Sequence, residues 1–448
     1  MGFSFSFQRA QHYHVNGGLI LMIMSLLALI VANSPFGPAY HDFWQQELRL
    51  QIGDFNFFNH GGHPLTVMAF INDALMSIFF FTVGLEIKRE ILVGELSSMR
   101  KAMLPIVAAC GGMLFPVLIY FFLVGGTPAE VGMAIPMATD IAFSLGVLSL
   151  FSNRVPLSLK IFLTTFAVVD DIGGILVIAL FYSSELYVSH LLYALGIVAL
   201  LMIGNKKRVY NKWYYIILGI VMWYLFMQSG IHATIAGVIV AFTIPAVPDY
   251  DVGKYINCIH DNIRCFPEDS SGTIVLTRSQ IHILRRIEVA SDHVISPLQS
   301  LEDHLHGFVN YFVIPLFAFA NAGVTLAEDG ETVKIGMVSL AIMAGLVVGK
   351  FVGIYLFTWL VVRLGGAELS CGMSWRNLTG VCLLGGIGFT VSLFIANLSF
   401  GDNPDYLNQA KIGVLGGTIL AGILSYLVLH ITLPKKQSNY ITNLNKLT

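Results

Sequence analysis

The sequence is short of charge. Asp, Glu, Lys and Arg make up 12% of its 448 residues, about half of the roughly 25% usual in soluble domains, while apolar residues reach 56%. That imbalance excludes an ordinary soluble domain. A net charge of -2 with no dense basic run gives no sign of a nucleic-acid partner. Cysteine is scarce as well. Cys110, Cys258, Cys265, Cys371 and Cys382 lack metal-type spacing, which excludes a zinc site and a disulfide framework. There is no GxxxxGK phosphate loop, no nucleophile elbow and no HExxH, so neither an enzyme nor a cofactor is expected.

What the chain has is length in apolar runs. About 20 apolar residues span a hydrocarbon core, and twelve such windows can be cut: 17–33, 64–85, 102–124, 131–151, 161–182, 186–204, 213–228, 231–248, 307–327, 335–362, 377–400 and 412–433. The first has a weak basic flank and eleven spans after it, so it reads as a retained helix rather than a signal peptide. An even number of spans puts both termini on one side. Of the 25 Lys and Arg, 21 fall in loops on that side and three (Arg49, Lys334, Lys411) opposite, which makes the shared side cytoplasmic.

Residues 1–448 read as one membrane domain with two unusual connections. On the outer side, 45–63 contains the alternating run LRLQIGDFNF with Gly53-Asp54 at its centre, expected to form a small β-hairpin. On the cytoplasmic side, 249–306 is polar, with DSSG at 269–272, and is expected to be a flexible loop or short helices.

Two windows carry breaks at matching depth, AIPMATD around Pro136 and LLGGIGFT with Gly385, Gly386 and Gly388. Each is the middle helix of a three-helix set, 3 to 5 and 10 to 12, the pattern of an inverted-repeat transporter. Five ionisable residues also fall near mid-span: Asp73, Asp140, Asp170, Asp171 and Lys350. Each costs roughly 2.5–3.5 kcal/mol at that depth. One structural ion pair would account for two of them. Four carboxylates facing one amine leave at least one acid for a mobile cation or a proton, and a carboxylate ligates a cation only when ionised.

At these residues the chain resembles the NhaA-type sodium/proton antiporters. The stretches FINDALMSIFFFTVGLEIKRE, AIPMATDIAFSLGVLSLFSNRVPLSLKIFL, AVVDDIGG, SGIHATIAGV, PLFAFANAGV, VVGKFVGIYLF and LLGGIGFTVSLFIA occur in order and cover nearly the whole chain. The resemblance implies an electrogenic, alternating-access bacterial inner-membrane exporter of Na+ and Li+ in exchange for H+. It implies that Asp170 and Asp171 form the ion and proton site, with Asp171 the foremost Na+ ligand and Thr139 beside it. Asp140 would balance the positive ends of the half-helices, and Lys350 the negative ends while pairing with Asp170. Asn72 and Asp73 would support the site. Glu86, Glu90, His232, Glu302 and His306 resemble the family's cytoplasmic pH-sensing region, whereas His190 and His430 are assigned to packing. The hairpin's free strand edges, and the resemblance, point to a homodimer. The rival functions are a sodium-coupled organic-anion symporter and a pH-sensing receptor or channel, the latter lacking any recognisable signalling domain.

Overall fold

Backbone polar groups have no water to bond in lipid, so a chain of this composition must close its hydrogen bonds within helices. The computed structural model describes residues 3–434 apart from 50, 53–54, 57, 61–62, 152–153, 183–186, 250, 267–274, 326, 329–330 and 333–334. Among the described residues six helices are long and apolar enough to cross a membrane: Val67–Val93, Met99–Val124, Leu157–Phe181, Val188–Lys206, Met337–Arg363 and Pro404–Thr432. Three bent pairs raise the number to nine if each is one span. Helices Lys212–Ser229 and Thr234–Thr243 and the helical run 297–321 occupy the remaining apolar windows.

The bent pairs follow their sequences. Pro128–Met137, a 3-10 helix holding Pro136, meets Ile141–Ser149 at 43°, and Trp375–Leu384 meets Phe389–Phe400 at 41° across Gly385 to Gly388. A third bend was not foreseen. After Gly17–Ala32 the chain turns by 109° into Gly37–Gln45, whose Tyr40 hydroxyl donates to the Phe319 carbonyl at 2.5 Å.

Three long helices also carry a π turn, at Ile71–Leu75, Val309–Val313 and Gly345–Gly349. Such turns concentrate at functional sites because they widen the helix and redirect the next side chain. The first contains Asn72 and Asp73, and the third ends immediately before Lys350. No periodicity in the sequence announces them.

Outside the bundle, the described parts of 45–66 form two short antiparallel pairs, Gln51–Ile52 with Phe55–Asn56 and Asn59–His60 with His63–Pro64, closed by a bridge between Glu47 and Thr66. Gly53-Asp54 lies outside the described residues, as does the DSSG stretch. The described remainder of 249–306 is mostly helical, in Val252–Arg264, Arg278–Val294 and the start of Pro297–Phe308. Val252–Arg264 pairs with Arg278–Val294 through a Tyr255 to Ser291 hydroxyl contact of 3.0 Å, and His293 meets Asp249 at 2.9 Å. Helix Pro297–Phe308 also begins ten residues before the apolar window that follows it.

Helices Met99–Val124 and Met337–Arg363 lie in close contact. Gly111 and Gly353 face one another so tightly that a Cβ on either would strike the other's carbonyl, and Gly349 rests on Pro116. Since backbone cannot yield as a side chain can, Gly353→Val should cost about 1–3 kcal/mol. Thermal melting in detergent checks this, and an unchanged midpoint would mean that the two helices can separate freely.

Candidate functional site

The two breaks meet. Backbone hydrogen bonds that each segment cannot make internally are made across the crossing: Asp140 N–H donates to the Ile387 carbonyl at 2.6 Å, and Ser144 Oγ to the Leu384 carbonyl at 3.0 Å. Ser392 Oγ donates to the Ile135 carbonyl at 2.7 Å. Asp140, 3% exposed, serves two helix starts at once. Its Oδ1 accepts from Phe143 N–H at 2.9 Å, and its Oδ2 from Thr390 N–H at 3.1 Å and Thr390 Oγ1 at 2.7 Å. A carboxylate at the positive end of a helix dipole is favourable, and here one carboxylate faces two such ends.

Lys350 is wholly buried. Its Nζ donates to Asp170 Oδ2 at 2.6 Å and to Thr139 Oγ1 at 2.9 Å, while the Thr139 hydroxyl donates to the Gly385 carbonyl at 2.9 Å. The ammonium thus reaches the negative end of half-helix Trp375–Leu384 through one hydroxyl. Asp170 and Asp171 are adjacent on helix Leu157–Phe181 but are treated differently. Asp170 is held by Lys350. Asp171 is 4% exposed, its carboxylate makes no hydrogen bond or ion pair among the described residues, and it lines a cavity of about 220 Å³, whereas only the Oδ1 of Asp170 is left without a partner. That cavity also reaches Thr139, Asp140 and Thr390, and at its other end Glu86, Arg89, Glu90 and His306. Hard oxygens around water-accessible space suit a small cation.

Residues 8–429 match the family model described as Na+/H+ antiporter 1. The chain is 66% identical to a Na(+)/H(+) antiporter NhaA of Phocaeicola vulgatus, over 97% of this chain and 98% of that protein. It is 60% identical to the protein of the same name from Bacteroides thetaiotaomicron, over 95% and 97%. The identity is 44% with that of Helicobacter pylori, over 93% of each. The chain belongs to the Na+/H+ antiporter 1 family. Members of this family are transporters rather than enzymes and work without a cofactor, on ions alone. The chain is accordingly a multi-pass protein of the inner membrane.

The remaining expected residues divide into two groups. Glu302 on helix Pro297–Phe308 is paired with Arg89 at 2.8 Å, and Arg89 also touches Glu90 at 3.2 Å. Glu86 and His306 line the same cavity mouth, and His306 meets the Asn310 amide at 3.1 Å. His232 is not part of this cluster. Its neighbour Ala233 packs with Leu65 and Ala69, and Glu86 stands 17 residues beyond Ala69 along one helix, about 25 Å away at 1.5 Å per residue. His232 therefore stands apart from Glu86, because the turn after Ser229 lies towards the other end of helix Val67–Val93.

Asn72 and Asp73 separate as well. Asp73 makes no side-chain hydrogen bond or ion pair among the described residues and does not line the cavity. Asn72 accepts from Asn321 Nδ2 at 2.9 Å, and Asn321 Oδ1 accepts from Asn397 Nδ2 at 2.8 Å. Reading only ionisable residues missed Asn321 and Asn397. Buried amides inside apolar spans carry the same signal of an unmet hydrogen-bonding need.

Burial pushes the Glu302 carboxyl up to about 7. Arg89 opposes the rise, and Glu86, Asp303 and Glu90 add to it. A carboxyl raised above its ordinary 4.5 favours the folded state while protonated, and that contribution fades as pH rises through 7. Relative to Glu302→Gln, the wild-type melting temperature should therefore fall between about pH 5 and 8. A constant difference across that range would place the ionisation of Glu302 elsewhere.

Proposed function

We propose that this chain exports Na+ in exchange for H+ at Asp171, with Li+ as a further substrate. The observation that carries the reading is that Asp171 lines the cavity with no hydrogen bond or ion pair to its carboxylate among the described residues, next to an Asp170 already engaged by Lys350. Asp171 ionised is a ligand for the cation, and protonated it is not. The same oxygen therefore serves both ions by turns. Thr139 supplies a neighbouring hydroxyl oxygen, and Asp140 acts as a cap whose two oxygens are already engaged.

Charge counting gives the direction of coupling. With Asp140, Asp170 and Asp171 ionised and Lys350 protonated, the site bears two net negative charges. One Na+ leaves one, and two protons leave none. The loaded forms differ in charge, so the membrane potential assists sodium export and exchange is electrogenic. The organic-anion symporter finds no support, since about 220 Å³ lined by carboxylates is below the 300–1,000 Å³ usual for larger organic ligands and repels anions.

The topology read into the proposal has twelve spans with both termini cytoplasmic, and an inverted repeat of helices 3 to 5 and 10 to 12. Matched bends of 43° and 41° support the repeat. On this reading the Arg89, Glu90 and Glu302 cluster faces the cytoplasm and sets the pH response, while the 45–66 segment faces outward and joins two copies. The short pairs there are long enough to add a strand from a neighbour but bury little by themselves.

Everted vesicles from a sodium-sensitive host test the central claim. Na+ or Li+ should collapse a pH gradient, while K+ and an organic anion should not. Asp171→Asn should reduce the signal to background in protein that inserts and melts normally, because an amide cannot alternate between the two states. Wild-type exchange by this variant would remove Asp171 from the mechanism. For the outer segment, deletion of 47–58 should give a monomer that still exchanges ions, and a deletion variant still crosslinked as a dimer would move the contact elsewhere.

A further inference from the structure

Among the described residues the cavity lined by Asp171 is lined also by Glu86, Arg89, Glu90 and His306, and by none of Asn72, Asn321 and Asn397. An exchanger must also close and open the other side, and the buried amides identify where. On helix Val67–Val93 the cavity is lined by Phe79, and Asn72 lies seven residues before it. On 297–321 it is lined by Ile314, and Asn321 lies seven residues after. On Phe389–Phe400 it is lined by Thr390, and Asn397 again lies seven residues after. Seven residues are two helical turns, about 10 Å. The three asparagines therefore meet at one level beyond the floor of the cavity, on the side of the 45–66 segment.

We propose that Asn72, Asn321 and Asn397 form a latch that closes the far side of the ion site, and that each exchange cycle breaks and remakes it. Asn321 is wholly buried and uses both ends of its amide, donating to Asn72 and accepting from Asn397. It joins helix Val67–Val93 to the half-helix Phe389–Phe400, whose first turn Asp140 caps. Amide pairs suit this task better than ion pairs, because they hold by hydrogen bonds alone, carry no charge to attract or repel the passing cation, and separate at modest cost. The tight apolar packing around them would otherwise give no discrete closed register.

The proposal rests on exchange through Asp171, but its test reads accessibility rather than transport. In protein whose five cysteines are replaced by serine, Met76→Cys places a thiol one turn beyond Asn72, at a position 2% exposed. A charged, membrane-impermeant methanethiosulfonate reagent is applied from each side of sealed vesicles. Asn321→Ala, which removes both bonds, should speed labelling from the 45–66 side about tenfold with no gain from the cavity side. It should also raise the sodium half-saturation measured from the cavity side, because the cavity-open state becomes less populated. Asn72→Ala and Asn397→Ala, which remove one bond each, should shift both readouts in the same direction by less, and they serve if Asn321→Ala does not fold. Labelling unchanged from the 45–66 side, or accelerated equally from both sides, overturns the latch. Loss of exchange by Asp171→Asn with latch-dependent labelling intact would separate the two claims.

Discussion

Four half-helix ends meet inside the bilayer, and the carboxylate of Asp140 is what holds two of them there. Each helix start leaves N–H groups without partners, and in lipid no water can supply them. Two starts pointed at one spot would also repel through their positive ends. Asp140 answers both problems with three hydrogen bonds, to Phe143 N–H and to the amide and hydroxyl of Thr390. The bends of the two segments, the depth of the ion site and the floor of the cavity all follow from that contact.

The remaining charges are distributed by the same constraint. Lys350 could pair with any of three acids, and a buried ammonium without a partner would be strongly unfavourable. It reaches Asp170 and Thr139 because the π turn at Gly345–Gly349 ends at its own position and because Gly349 and Gly353 let its helix approach Met99–Val124. Committing Lys350 to Asp170 leaves Asp171 facing water-accessible space. On the proposed reading, a structural ion pair thus sets apart the exchanging acid beside it by taking up the other one.

The site also connects to the mouth of the cavity through rigid elements. Helix Val67–Val93 carries Asn72 at one end and Arg89 at the other, and the 297–321 run carries Glu302 and Asn321. The Arg89 to Glu302 pair and the Asn321 to Asn72 bond therefore fasten the same two helices at opposite ends. A change of charge on Glu302 alters one fastening of a two-point attachment. On the proposed reading this is a physical route from pH to the far side of the site that needs no contact with the ion.

The sequence alone showed that the chain crosses a membrane, where two of its apolar windows break, and which five ionisable residues fall near the middle of such windows. Each of these is a local property of composition or spacing, and burial of charge in lipid costs too much to be accidental. The sequence motifs also carried the family resemblance. What only the tertiary structure decided is how those residues divide their work. Asp170 and Asp171 are neighbours in sequence, yet a difference of one position, about 100° around the helix, turns one towards Lys350 and the other towards the cavity. Asp140 was legible as a buried acid but not as a double cap, since Thr390 comes from 250 residues away. The π turns, the close approach of Gly111 to Gly353 and the asparagine chain were invisible for the same reason. Each arises where two or three helices fit together, and the separation of His232 from Glu86 was not legible because a motif gives no end of the bundle.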